Sequence, residues 1–304
     1  MSFELTPVKP FRLDLTVWAL RRRPDNIIDR WDNGIYRRVM MIQGKPAEVA
    51  VTQLHPEGDS TLLVTVAGGR GVAEAEPMVT EALGLLLGIR VDLSQFYEFS
   101  RADALLWPLV ERFQGVKPPR FPTVYEALVN AIACQQITLA VGIILLNRLT
   151  AAYGRPFKSE HGTVHAFPLP QDLAEARPEA LRNLGFSHQK SRALIELSQK
   201  ISDNAINLDE LEDRSDDVAL KQLRELRGIG RWSADYVLLR GLRRIHIFPV
   251  DDVGGRNKLT RMLNLRKPLD YEGAQRVLAR WRPFGGLIFF HMLLKGLEEE
   301  GMLR

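Results

Sequence analysis

Leu223-Arg-Glu-Leu-Arg-Gly-Ile-Gly-Arg-Trp-Ser-Ala-Asp-Tyr-Val237 is the stretch on which the fold turns. It reads as a helix, a very short turn at Gly228-Ile229-Gly230, and a second helix. Two glycines around one apolar residue permit backbone dihedrals that other residues resist, and Ile229 can plug between the helices. The amides of Gly228, Gly230 and Arg231 then sit at the N-terminus of the second helix. Free N–H groups and the helix dipole make such an end an anion site. A turn of this kind can hold a DNA phosphate without reading a base. For Gly-x-Gly alone, a tight helical hairpin with no ligand is the more common meaning of such residues.

Downstream runs Arg244-Ile-His-Ile-Phe-Pro-Val-Asp-Asp-Val-Gly254, and Val253-Gly-Gly-Arg-Asn-Lys-Leu259 starts another helix. Asp251 and Asp252 therefore precede a helix, where a carboxylate can act as an N-cap. Upstream, Thr123 and Glu126 have capping-box spacing. Apolar residues recur at helical spacing from Tyr125 to Ile132 and from Leu139 to Leu149. Helices are expected over Ser191 to Ile201, Asp217 to Leu226, Trp232 to Leu242, Ala274 to Trp281, and Gly286 to about Glu299. The proline-rich Arg112 to Pro122, with Pro118 and Pro119 adjacent, marks a boundary. Before it the pattern is mixed. Pro10 to Thr16, Tyr36 to Ile42, Ala47 to Gln53 and Ser60 to Val66 read as strands, Val17 to Arg30 and Pro77 to Leu87 as helices. The expected class is α+β: an antiparallel-sheet domain over 1–115, then a mostly helical region over 116–304.

With 304 residues, 45% hydrophobic and 26% charged, the chain has an ordinary globular composition, which excludes disordered and collagen-like classes. No run approaches the roughly 18 apolar residues of a membrane span. The longest are Val141 to Leu146 and Gly286 to Leu294, the latter interrupted by His291. The N-terminus lacks a basic-then-apolar leader, so no export is expected. Cys134 is the single cysteine, which excludes an intrachain disulfide and a cysteine-held metal cluster; no metal site is expected, and a reducing, cytoplasmic setting is. Residues 221–304 carry 17 basic against 9 acidic side chains (+8), and residues 1–220 carry 24 against 28 (−4). The concentrated positive charge suits nucleic acid, or simply a solvated basic surface.

Three further stretches complete the pattern: Glu126-Ala-Leu-Val-Asn-Ala-Ile-Ala-Cys-Gln-Gln-Ile-Thr138, Leu181-Arg-Asn-Leu-Gly-Phe-Ser-His-Gln-Lys-Ser-Arg192, and Trp281-Arg-Pro-Phe284 with His291. Together with the hairpin and the Pro-Val-Asp-Asp loop they resemble the helix-hairpin-helix DNA glycosylase superfamily, closest to the bacterial 3-methyladenine DNA glycosylase II (AlkA-type) family. The resemblance covers roughly residues 90 to 297. It implies two helical subdomains with the active-site cleft between them. It also implies a monomeric, monofunctional enzyme, at work on the nucleoid. Such an enzyme flips damaged bases out of double-stranded DNA and hydrolytically excises alkylated purines such as 3-methyladenine, leaving an abasic site. No cofactor is implied beyond a monovalent cation on the hairpin carbonyls.

The resemblance also assigns roles. The family's catalytic carboxylate aligns with Asp252, and Asp251 shapes the loop. A carboxylate beside an oxocarbenium-like sugar stabilises its charge and can orient or deprotonate water, although both aspartates also suit plain capping. Bifunctional members carry a Schiff-base lysine where this chain has Trp232. An indole there instead offers a wall for an extruded, electron-poor or cationic base. Tyr236, one turn on, shares that wall or belongs to the core. Gln136 stands where a side chain fills the gap left by the flipped base, a position that is leucine in the best-known members. Gly228, Ile229, Gly230 and Arg231 are expected at one strand's phosphates. His188 and Lys190 are expected at the other's, unless their turn is simply solvated. Leu293 falls at a pocket position that is tryptophan in some members, and Gly285-Gly286 replaces bulkier residues, so a wider pocket is expected. Trp18 and Leu20 are candidates to line it from the N-terminal part. Two other functions remain in play: the same fold acting on deaminated or oxidised bases, and a non-catalytic lesion-binding module.

Overall fold

The computed structural model describes residues 1–55, 60–68, 75–160 and 162–303. The chain begins with β1 (Ser2–Leu5), α1 (Leu13–Arg21), β2 (Arg30–Asp32), β3 (Ile35–Ile42), β4 (Lys45–Gln53), β5 (Leu62–Ala67) and α2 (Glu76–Leu87). Short helices α3 (Ser94–Arg101) and α4 (Trp107–Arg112) follow, then the long pair α5 (Val124–Cys134) and α6 (Leu139–Tyr153). A small hairpin, β6 (Pro156–Ser159) and β7 (Gly162–His165), leads to α7 (Pro170–Ala174), α8 (Pro178–Asn183) and α9 (His188–Ser202). The last third is helical: α10 (Asp216–Arg224), α11 (Arg231–Arg240), α12 (Val253–Met262), α13 (Tyr271–Leu278) and α14 (Gly285–Glu299).

Among the described residues the main sheet is antiparallel with strand order β1-β5-β4-β3-β2. Tyr36 pairs with Val51, Val51 with Val64 and Val49 with Val66, so one face carries a continuous apolar layer. The strands expected at Tyr36, Ala47 and Ser60 are β3, β4 and β5. The short edge strands β1 and β2, the β6–β7 hairpin, and helices α3 and α4 were not anticipated.

One expected strand is wrong. Pro10 to Thr16 does not form a strand; helix begins at Leu13 and ends at Arg21, so the expected helix over Val17 to Arg30 is also displaced. The alternation of apolar residues has another cause. Leu13, Val17 and Leu20 bury into one hydrophobic cluster, and Leu15 and Ala19 into a second. A helix wedged between two cores hides both faces, and over so short a window that imitates period two. Leu20, a candidate pocket residue, is fully buried in the first core, and Trp18 packs on the second.

Those two clusters define the architecture. The first joins the sheet, α2, α5, α6, α9 and the inner face of α11. The second joins α3, α4, α12, α13 and α14. Each draws residues from both sides of position 115. α14 can lie close against the preceding loop because of its glycines. A Cβ at Gly286 would stand 2.7 and 2.8 Å from the Ile245 and Ile247 carbonyl oxygens, and the Gly286 amide donates to Ile245 O at 2.8 Å. Gly285-Gly286 therefore serves backbone contact rather than a wider pocket. α11 is anchored by Arg240, a buried guanidinium that donates to the Ala19 and Leu20 carbonyls near the end of α1 and faces Phe121 and Phe290. Burial lowers its pKa to about 10.

Candidate active site and nucleic-acid interface

The hairpin forms as its sequence demands. Gly228 has φ +78°, a left-handed backbone suited to glycine, and a Cβ there would meet Ala193 at 3.2 Å. Ile229 is buried between the helices, and Gly230 is the N-cap of α11. The first-turn N–H groups of an α-helix have no intrahelical partner, and at α11 the glycine N-cap offers no side chain to cap them. Arg231 follows immediately. It is exposed, hydrogen-bonded to Asp251 and stacked over the Tyr271 ring at 4.3 Å.

A cleft of about 940 Å³ opens in front of this turn. Its lining includes Thr138, Ser187, Gly230 and Asp252, which are the N-caps of α6, α9, α11 and α12. Thr138 accepts from Val141 N, Ser187 from Lys190 N and Asp252 from Gly255 N. Four helix N-termini thus converge on one cavity. Each N-terminus favours a nearby anion by about 0.3–1 kcal/mol. Phosphates have the charge and acceptor oxygens this surface would satisfy.

Trp232 and Asp252 meet inside the cleft. The indole Nε1 donates to Asp252 Oδ2 at 2.9 Å, and Asp252 Oδ1 accepts the Gly255 amide at 2.5 Å. The carboxylate is therefore both an N-cap and a side chain held in place from across the cleft. Tyr236 stacks behind Trp232, with ring centroids 5.4 Å apart and planes at 28°. It is buried and does not line the cleft, and burial raises its phenol pKa. Its place is behind the wall, not on its surface.

Gln136 sits between α5 and α6 with φ +55°, an uncommon conformation for a non-glycine residue, and its side chain is exposed at the cleft rim. Gln135 beside it donates to Gly228 O and to Ser233 Oγ, both at 2.7 Å, tying this tip to the hairpin. The Gly228 carbonyl thus accepts a hydrogen bond from Gln135. Lys190 lines the cleft, but its ammonium donates to the Ala133 and Gln135 carbonyls at 2.9 and 2.7 Å. Instead of reaching for a phosphate, it satisfies the C-terminal end of α5 and braces the Gln136 tip, and burial lowers its pKa. His188, the first residue of α9, is exposed and outside the lining. Leu293 is buried in the second core and is also not brought to the cleft.

Sequence reasoning missed the caps Thr138 and Ser187, the braces Gln135 and Ser233, and Arg22. The first two carry a legible signal, a hydroxyl residue directly before a helical run. Arg22 carries none, because its partner Tyr236 lies 214 residues away.

A family model described as HhH-GPD superfamily base excision DNA repair protein matches residues 129–283. DNA-3-methyladenine glycosylase of Bacillus subtilis is 28% identical over 201 residues, covering 66% of this chain and 66% of that protein. DNA-3-methyladenine glycosylase 2 of Escherichia coli is 29% identical over 178 residues, covering 59% and 60%. The chain thus spans 66% and 60% of the length of these two relatives. The solved 3-methyladenine DNA glycosylase of Archaeoglobus fulgidus superposes with a TM-score of 0.83 at 24% identity over 99% of this chain and 100% of that one, a shared fold. No helix among the described residues is long and apolar enough to cross a membrane.

Proposed function

The chain belongs to the HhH-GPD superfamily of base excision DNA repair proteins, and on that premise we propose that it is a monofunctional DNA glycosylase that hydrolytically releases alkylated purines such as 3-methyladenine. The observation that carries this reading is the convergence of four helix N-termini around the Trp232–Asp252 pair. Duplex DNA lies across the cleft with its phosphates at the α6, α9 and α11 termini, the α12 terminus being taken up by the Asp252 carboxylate. Gln136 enters the stack as the damaged nucleotide leaves it. The extruded base stacks on the Trp232 indole, an electron-rich face that attracts an electron-poor or cationic ring.

Asp252 is the catalytic residue in this scheme. As the C1′–N bond breaks, its electron pair leaves with the base, and positive charge grows on the sugar. The Asp252 carboxylate stabilises that charge and accepts a proton from the water that attacks C1′. An alkylated purine that enters as a cation departs neutral, so the leaving group needs no strong acid. No amine is available for a Schiff base at position 232, and the lysine lining the cleft, Lys190, is bound to backbone carbonyls. The products are free base and an unbroken strand with an abasic site. One copy of the chain supplies all of these groups.

The test is base release, followed by chromatography, from duplex DNA treated with a methylating agent. The wild type releases 3-methyladenine, while Asp252→Asn is slowed by about 10²–10⁴-fold and still binds abasic DNA. Folding survives, because asparagine also caps a helix. Borohydride traps no protein–DNA adduct during release. DNA binding without release would leave a lesion-binding module, and wild-type release by Asp252→Asn would move the catalytic role elsewhere.

A further inference from the structure

Arg22 is the C-cap of α1, with φ +63°, and is 4% exposed. A left-handed backbone is strained for arginine and persists where the surroundings hold it. Here both prongs of the guanidinium are held. Nη1 donates to the Tyr236 hydroxyl at 2.8 Å and Nη2 to Asn130 Oδ1 at 2.7 Å. Tyr236 stacks on Trp232, and the Trp232 indole N–H donates to Asp252 Oδ2. An unbroken line of contacts therefore runs from α1, braced by α5, through α11 to the cap of α12.

Each link removes a freedom. The bond at the phenol oxygen fixes the far end of the Tyr236 ring. The stacked face fixes the tilt of the Trp232 indole, and the indole N–H fixes one of the two carboxylate oxygens. The other oxygen is held by the α12 backbone. Without the first link, the indole loses its backing and the carboxylate keeps only its cap.

We infer that Arg22 is a positioning residue for base release, acting through Tyr236 and Trp232 on the Asp252 carboxylate while touching neither base nor sugar. The inference rests on the glycosylase reading above and adds a residue remote from the cleft lining. A misplacement of roughly 1 Å at a reacting group can lower a rate about 10²-fold with binding intact.

The test compares wild type, Arg22→Lys, Arg22→Met and Tyr236→Phe. Single-turnover base release is measured beside the Kd for an abasic duplex, and Trp232 is observed by ¹⁵N-indole NMR, its signal assigned by loss in Trp232→Phe. Arg22→Met and Tyr236→Phe should release base about 10–100-fold more slowly, with Kd within about twofold of wild type. The Trp232 indole N–H resonance should move in both. Arg22→Lys, which keeps the charge but not the fork, should fall between. If Arg22→Met fails to fold, Tyr236→Phe alone decides, since it removes only the hydroxyl. Release at the wild-type rate, an unmoved indole resonance, or a loss of rate matched by an equal loss of binding each overturns the inference. Wild type that releases no base overturns the glycosylase reading itself, a result distinguishable from active wild type with unaffected variants.

Discussion

Two ion-pair arrangements in this molecule use the same residue types to opposite ends. Under the sheet, Arg38 donates to Asp29 at 2.8 Å and to both Glu126 oxygens at 2.6 and 2.7 Å, and Tyr36 also donates to Asp29. These side chains are 3%, 3% and 5% exposed for Arg38, Asp29 and Glu126. At the cleft, Arg231 pairs with Asp251 while 54% and 24% exposed. A dry pair must have its members satisfied, because an orphaned buried charge is costly. A wet pair gains little and exchanges easily with solvent or a phosphate. The triad rigidly joins β3 to α5, the helix that carries the Gln135–Gln136 tip. The Arg231–Asp251 pair leaves a cation at the mouth of the hairpin ready to change partner.

The contrast breaks or sharpens by measurement. The largest effect is expected at Arg38→Met, which strands Asp29 and Glu126 and should cost about 3–5 kcal/mol in urea unfolding. A loss below about 1 kcal/mol would mean that water reaches the triad, and the comparison would fail. Next is His291, buried in the second core with Nδ1 on the Leu287 carbonyl and Nε2 without a hydrogen-bond partner among the described residues. Burial lowers its pKa from 6.5 to about 4. Its neutral form contributes full stability above pH 6.5, and this is lost as pH falls towards 4, where the unfolded chain binds the proton first. The loss should approach about 3 kcal/mol, and His291→Leu should flatten that acid limb. Unchanged acid sensitivity in the variant would assign the limb to other groups.

Smaller again is Asp235, between the dry and wet extremes. Burial, assisted by the charge of Asp251, raises its pKa to about 6. The folded state then prefers the protonated acid, so the penalty appears as pH rises from about 4 through 6. Asp235→Asn should stabilise the protein at pH 7 by about 1–2 kcal/mol and give no gain at pH 4 in paired thermal melts. The smallest effect is expected at Asp251→Asn, where stability changes by less than about 1 kcal/mol. Freeing Arg231 should tighten DNA binding a few-fold at low salt, and a marked loss of stability would show the pair to be structural after all.

Much of the cleft was legible locally. The hairpin needs glycine at φ +78° and the Asp251-Asp252 loop runs into a helix; away from the cleft, Thr123 caps α5 as expected, while Glu126 turns its carboxylate to Arg38 instead of closing the capping box. The misreadings share a cause. α1 looked like a strand because two cores pull on its two faces. Gly285-Gly286 looked like missing pocket volume because the carbonyls of Ile245 and Ile247 that press on Gly286 come from another element. Lys190 looked available because the carbonyls that hold it belong to α5.

The sequence by itself determined the α+β class, the helix-hairpin-helix turn and most of the helical elements, since caps, glycines and apolar periodicity act within a few residues, whereas the nearness of Trp232 to Asp252 was implied by the family resemblance and not by any local pattern. Only the tertiary structure decided that four helix N-termini face one cavity, that Tyr236 stands behind Trp232 while Leu293 joins the second core, and that Arg22 reaches the far end of the same aromatic stack. Those outcomes depend on which helix faces pack together, and such packing is set by contacts as distant in sequence as Arg22 with Tyr236, 214 positions apart, over which no local pattern extends.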